Sequence, residues 1–272
     1  MEYEIKPEKK ISFGLAELWQ YRELFYFFTW RDIKVKYKQT VLGFAWAVLQ
    51  PLLMMFVFSY FFGKTLKVPS DNIPYPIFVF SGLLLWNIFA AGLSNAGNSM
   101  VSNANIIKKI YFPRLIIPLS SILVALFDFL MALIIYAGIL SYYRFTFDIA
   151  KFLIYFPLSL LITLIATFGA GSLLAALNVK YRDVRYIIPF MVQALLFITP
   201  VIYPVSILNN ALAKFIMSLN PMTGAISLFR SAITNQPPDW NIITTGICSA
   251  FILLITGIFY FRKTEAYFAD LA

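Results

Sequence analysis

Residues 242–261 read IITTGICSAFILLITGIFYF, an apolar run of 20 residues without a charged side chain. At a rise of about 1.5 Å per residue, such a run crosses about 30 Å as a helix, the thickness of a bilayer's hydrocarbon core. Working back along the chain, comparable runs extend over Leu42–Phe62, Ile77–Met100, Leu115–Leu140 and Phe152–Leu177. A further run, Ile187–Tyr203, is interrupted by Pro189 and Pro200. These six runs predict an all-α polytopic membrane protein. The organisation expected is a cytoplasmic segment over 1–41, a six-helix transmembrane domain over 42–262 and a cytoplasmic tail over 263–272.

Composition points the same way. Of 272 residues, 60% are hydrophobic and 13% charged, against about 45–50% and about 25% in soluble domains. A soluble fold of this length would need a charged surface that this chain lacks, whereas lipid removes the need. The single Cys248 excludes an intrachain disulfide. Met1–Lys10 carries charges of both signs with no short apolar run and cleavage site behind it, which does not read as a signal peptide. A net charge of +9 has no long soluble stretch of interleaved cations and aromatics to serve nucleic acid.

The basic excess follows topology instead. Sixteen of the 22 Lys and Arg lie in 1–41, 101–114, 178–186 and 262–272, and six in 63–76, 141–151 and 205–241. Cations accumulate on the cytoplasmic side, so both termini are expected there and the number of spans is even. Before the first span, Leu15, Leu18, Trp19 and Tyr26 fall on one helical stripe and Glu17, Gln20 and Glu23 on the other. That pattern predicts an amphipathic interfacial helix. Between the fifth and sixth spans, Pro204, Asn209, Asn210, Asn220, Pro221, Pro237 and Pro238 punctuate two short helical patterns, Val205–Leu219 and Met222–Thr234. Such a pair predicts a re-entrant helical hairpin beside protein or a watery cavity.

Catalysis finds little material here. There is no histidine, hence no usual general base, no common metal ligand and no Ser-His triad. Of 13 carboxylates, six crowd the N-terminal segment, and Asp128 alone lies well inside an apolar run. Gly63-Lys64-Thr65 lacks the glycine five positions earlier that a phosphate-binding loop requires. Gly169-Ala170-Gly171, followed by Ser172, Ala175 and Ala176, has no preceding strand and reads as close helix packing. Asp128 carries a burial cost of about 2.5–3.5 kcal/mol and must face protein or water. It lines a polar path or relay, or bonds a neighbouring helix through Gln193, Asn87 or Thr163. Aromatics make up 18% of the chain. Those of the first run, among them Phe44, Trp46, Phe58 and Tyr60, suit a channel lining for sugar rings or an interfacial belt.

Several stretches together resemble one family. They are Arg31-Asp32-Ile33-Lys34-Val35-Lys36-Tyr37-Lys38-Gln39-Thr40-Val41-Leu42-Gly43 leading to Trp46 and Pro51, then Tyr111-Phe112-Pro113-Arg114 with Pro118. Asn178-Val179-Lys180-Tyr181-Arg182-Asp183-Val184 and Leu219-Asn220-Pro221-Met222 continue the match. The chain resembles the permease subunit of ABC exporters for O-antigen, capsular polysaccharide and teichoic acid. The resemblance implies a non-enzymatic subunit of the bacterial inner membrane that pairs with a second copy of itself. It further implies two copies of a cytoplasmic ABC ATPase, which hold the ATP and Mg, and an undecaprenyl-diphosphate-linked polysaccharide as cargo. No cofactor is expected in this chain.

The same resemblance assigns regions. Asn103 to Arg114 is similar to the coupling helix that docks on the ATPase, with Asn103, Ile106, Lys108, Lys109, Tyr111 and Arg114 as its contact residues. Arg31, Lys34, Lys36 and Lys38 stand in the region similar to the cytoplasmic channel entrance, near lipid phosphates. A drug or lipid exporter of the same superfamily is the rival. A membrane glycosyltransferase or acyltransferase lacks its convergent acids and bases here, and a secondary transporter lacks intramembrane charge pairs and inverted repeats.

Overall fold

The structure, a computed structural model, describes residues 15–38, 43, 45–234, 236–265 and 268. The expected lining residue Phe44, residues 1–14 and residues 269–272 lie outside the described residues, as do the side chains of Leu15 and Glu17.

All regular elements among the described residues are helical. Helices α1 (Leu15–Gln20) and α2 (Arg22–Lys38) precede α3 (Ala45–Phe58), which continues as a π-helical stretch, Ser59–Thr65. Then come α4 (Tyr75–Ser102), α5 (Ala104–Ile107), α6 (Ile116–Tyr142), α7 (Ile149–Lys180) and α8 (Val184–Ile198). After a single 3₁₀ turn at Val205–Ile207 follow α9 (Ala211–Ser218), α10 (Pro221–Ile233) and α11 (Trp240–Glu265). Five helices are long and apolar enough to cross a membrane: Ala45–Thr65, α4, α6, α7 and α11. Each coincides with an expected span.

The remaining expected span, Ile187–Tyr203, is helical only as far as the end of α8 and is shorter than these five. Helix α8 has 15 residues, about 22 Å of rise. Thr199 leaves the helical region at ψ 140° because a residue before proline is pushed out of the α conformation. The hairpin region forms α9 and α10, bent by 99° to each other, which makes a sixth crossing only if the two count as one broken span. Its breaks follow local chemistry. Asn210 Oδ1 accepts from Leu212 N (2.9 Å) and Asn220 Oδ1 from Met222 N (3.0 Å). Each asparagine thereby satisfies an orphan donor at a helix start, with Pro221 occupying the first position of α10.

Helix α4 is the axis of the fold, packed by α3, α6, α7, α8 and α10. Ile77, Phe78, Phe80, Leu85 and Ile88 are fully buried there. Phe80 stacks on Tyr136 of α6 (5.8 Å), and Phe152 stacks on Phe156 (4.9 Å) beside Phe229 of α10. A second apolar cluster gathers Phe28, Ile107, Phe112, Phe261 and Phe268, tying α2, α5 and the end of α11 together. Helices α7 and α11 touch through backbone: a Cβ on Gly257 would stand 2.0 Å from the Gly169 carbonyl oxygen. Gly171 likewise faces Ala96 of α4 at 2.9 Å. The small residues at 169–176 serve packing, as their spacing implies.

Candidate functional site

The most buried of the five candidate spans, α4, carries a polar stripe. Asn87, Ser94, Asn98 and Ser102 recur at helical spacing along α4, and they open onto two clefts that share Lys36 and Ser94 in their walls. The deeper cleft, about 360 Å³, reaches Asn87, Asp128 and Trp46. The wider groove, about 790 Å³, lies between α2, α4 and α6 and is walled by Arg31, Asn95, Asn98, Ser102, Asn103 and Asn105. Side-chain amides and hydroxyls offer both donors and acceptors. In a chain this apolar, such a wall suits a hydroxyl-rich ligand.

Helix α2 forms the other wall. It buries Phe28, Ile33 and Tyr37, while Trp19 and Tyr26 are 71% and 68% exposed. The expected stripe is therefore not the face set against the protein. Tyr26, Phe27, Trp30 and Val35 leave a second apolar face outward, so the helix is apolar on two sides. The four entrance cations separate. Arg31 donates to Asn103 Oδ1 (2.8 Å) at the end of α4 and pairs with Asp32 (2.7 Å). Lys34 lies over the Trp30 ring (5.1 Å) and shares a shallow outward cavity with Lys38. Lys36 turns inward and pairs with Asp128.

Asp128 thus bonds a neighbouring helix, but not through the expected Gln193, Asn87 or Thr163. Its carboxylate accepts from Lys36 Nζ and from the Tyr37 hydroxyl. Thr163 is spent on Ser159 O (2.9 Å). The pair is a charge pair halfway along a candidate span, a feature that the sequence did not display because its members stand 92 residues apart.

The segment 103–114 is not one continuous helix. Helix α5 covers four residues, and turns and extended backbone follow up to Pro113, since Phe112 precedes a proline. Ile107 and Phe112 are buried anchors, whereas Lys108, Lys109, Ile110 and Tyr111 are exposed at the tip of this elbow. Phe112 packs on Phe28 of α2 at 5.6 Å. Among the expected contact residues, Asn103 donates to Ser99 O (2.8 Å) and accepts from Arg31, and Arg114 donates to the Glu265 carbonyl. The Arg114 backbone N–H also reaches Glu265 Oε1 (3.2 Å), clasping the elbow to the end of α11. Ile106 is half-buried in the groove wall.

Of the expected lining aromatics, Trp46 and Tyr60 are about half exposed, and Trp46 borders the deeper cleft. Phe58 departs from the expectation. It is 7% exposed and meets Phe62 edge-on at 5.8 Å within the main core, because its position on α3 faces α4.

One residue escaped the sequence reading. Arg230 in α10, counted there with the loop cations, is buried at 7% exposure. Its Nη1 donates to Pro200 O (2.6 Å) and its Nη2 to Val201 O (2.8 Å) and Phe78 O (3.2 Å). The guanidinium lies 3.5 Å over the Phe78 ring. It fastens the hairpin to the break after α8 and to the head of α4. Tyr75 to Ile202 O (2.7 Å) and Asn220 to Thr199 Oγ1 (2.7 Å) add to the same junction. A cation in a prolyl, apolar context of this kind was the available signal.

This arrangement of crossing helices, a polar groove and an exposed elbow has relatives over nearly its whole length. The chain is 28% identical over 262 residues to "O-antigen export system permease protein RfbA" of Klebsiella pneumoniae, covering 96% of this chain and 98% of that one. It is 28% identical over 260 residues to the protein of the same description from Myxococcus xanthus, covering 94% and 98%. With "Polysialic acid transport protein KpsM" of Escherichia coli, identity is 23% over 248 residues, covering 87% and 89%. A family model described as "ABC-2 type transporter" matches residues 23–234, from α2 through α10, so the chain belongs to the ABC-2 type transporter family.

Proposed function

We propose that the chain is the membrane-spanning subunit of an ATP-driven exporter that carries lipid-linked polysaccharide across the bacterial cytoplasmic membrane. The observation that carries this reading is the groove of about 790 Å³ beside the elbow, walled by amides and hydroxyls within a chain that is otherwise apolar. The similarity to an O-antigen permease along both chains supports it. Two copies form the channel, an undecaprenyl-diphosphate-linked glycan passes through it, and both termini are cytoplasmic. The exposed face of α2, with Trp30, Lys34 and Lys38, lies at the membrane interface, where cations attract anionic headgroups. Helix α8 with the turns that follow it makes the remaining crossing, which keeps the number of crossings even, and the bent α9–α10 pair stands as a re-entrant hairpin at the outer mouth. ATP and Mg are held by a separate ABC ATPase, which seats on Lys108 to Tyr111. Because Ile107 and Phe112 root that tip in the cluster shared by α2 and α11, a stroke of the ATPase reaches both helices directly.

Deleting the chain from its host tests the export reading. Polysaccharide on its lipid carrier is expected to accumulate inside while the surface glycan disappears, and undiminished surface glycan overturns the reading. The docking surface is tested by Lys108→Glu with Lys109→Glu. Like charges brought face to face cost several kcal/mol, so ATPase recruitment in pull-downs should fall at least about tenfold with membrane levels unchanged. Normal recruitment removes the elbow from the interface. Orientation is checked in a Cys248→Ala background, because Cys248 is exposed. A cysteine at Ser141 should react with an impermeant maleimide from outside and one at Ser102 should not; the opposite pattern inverts the topology.

A further inference from the structure

Helix α2 is held at its two ends by different means. Its first half is rooted by Phe28 in the large cluster with Ile107 and Phe112. Its last turns rest on a small, separate cluster of Ile33, Tyr37 and Val124. What fastens that end is polar: Lys36 and Tyr37 both donate to the Asp128 carboxylate of α6. Lys36 also stands in the walls of both clefts, at their junction. With only Ile33, Tyr37 and Val124 buried there and the Tyr37 ring on Phe127 (6.2 Å), this end depends on its polar contacts more than the first half does.

We propose that the contact of Lys36 and Tyr37 with Asp128 is a latch that holds α2 across the polar groove, and that breaking it opens the groove to a saccharide. The second half of this statement rests on the polysaccharide reading above; the first does not. The elbow is wired to release it. Asn103 grips Arg31 (2.8 Å) and Phe112 packs on Phe28 (5.6 Å), so displacement of the elbow pulls on α2 one to two turns before the latch. In the latched state α2 walls one side of the groove, and Lys36 stands where the two clefts along the stripe of α4 meet. Opening joins the two clefts, which meet at Lys36 and Ser94, along one polar wall from Asn105 to Asn87.

The test uses the full chain assembled with its ATPase and reconstituted in liposomes, with Cys248→Ala. Spin labels replace Val35 on α2 and Leu130 on α6, both exposed at 69% and 48%. Asp128→Asn and Lys36→Met should each lengthen and broaden the distance between the labels without nucleotide, and the exchange Lys36→Asp with Asp128→Lys should return it toward the parent value. Trapped stachyose should leak several-fold faster from vesicles carrying either single variant and no faster than the parent from those carrying the exchange. Assembly with the ATPase, measured on the same samples, verifies folding, and the near-isosteric Asp128→Asn guards against a misfolded Lys36→Met. Unchanged distances in both single variants overturn the latch. Lengthened distances with no added stachyose leak uphold the latch and overturn the saccharide path.

Discussion

Arg230→Met is expected to lower the stability of the folded chain by about 2–6 kcal/mol, at about 1–3 kcal/mol for each carbonyl left without a donor. The guanidinium donates to three carbonyls, those of Pro200, Val201 and Phe78. Hydrogen bonds to a charged group contribute about 1.5–3 kcal/mol each, and the stacked Phe78 ring adds a cation–π term. Against these stands the cost of burying a charge, which methionine relieves. The loss prevails because the methionine leaves the Pro200 and Val201 carbonyls without their donor, while Phe78 O keeps the Ser81 hydroxyl (2.7 Å). Arg230→Lys keeps the charge and three donors but gathers them on one nitrogen in place of the planar fork whose two nitrogens reach the three carbonyls, and an intermediate loss is expected. Titration with a denaturing detergent, read by intrinsic fluorescence, measures both. A loss below about 1 kcal/mol for the methionine variant, the size of one ordinary hydrogen bond, refutes the pin.

The second large effect is expected at the crossing of α7 and α11. A Cβ at Gly257 would lie 2.0 Å from the Gly169 carbonyl oxygen and 2.8 Å from its carbon. Both are backbone atoms inside long helices, so neither yields by a side-chain rotation, and the helices must part. Overpacking of this kind costs about 1–3 kcal/mol for one methyl group, and Gly257→Val should exceed Gly257→Ala. The same substitution at Gly138 of α6, where nothing lies within 4 Å of an added Cβ, is expected to be neutral or to stabilise by up to about 1 kcal/mol through helix propensity. Thermal unfolding of the three variants in one detergent separates the positions. Equal effects at 257 and 138 would refute the backbone contact.

Legibility in the sequence was uneven, for identifiable reasons. The five full spans announced themselves because a bilayer demands about 20 apolar residues in succession, which is a property of composition along one stretch. Ile187–Tyr203 met the composition but not the length, since Thr199 before Pro200 ends the helix. The resemblance implies a coupling helix over Asn103 to Arg114, yet helix α5 covers four residues of it, and Ile107 and Phe112 are drawn into a cluster with Phe28 and Phe261. Phe58 illustrates the same gap: an aromatic in an apolar run points to lipid, channel or core according to which helix lies beside it.

For Asp128 the sequence established the need and left the partner open. A carboxylate inside an apolar run must be met by something, and three candidates on nearby spans were considered. The residue that meets it, Lys36, sits in the segment assigned to the cytoplasmic channel entrance, and only the packing of α2 against α6 brings the two together. Arg230 is the mirror case, a cation taken for a loop charge whose carbonyl partners become visible once α8 has broken at Pro200. What the sequence determined by itself was whatever depends on neighbours in the chain: the crossing segments, the caps at Asn210 and Asn220, the breaks at proline and the small-residue face at 169–176. Tertiary structure decided which side chains meet across helices. Those pairings follow from crossing geometry and depth, and the 3.6-residue period that places a residue on a face says nothing about what that face will touch.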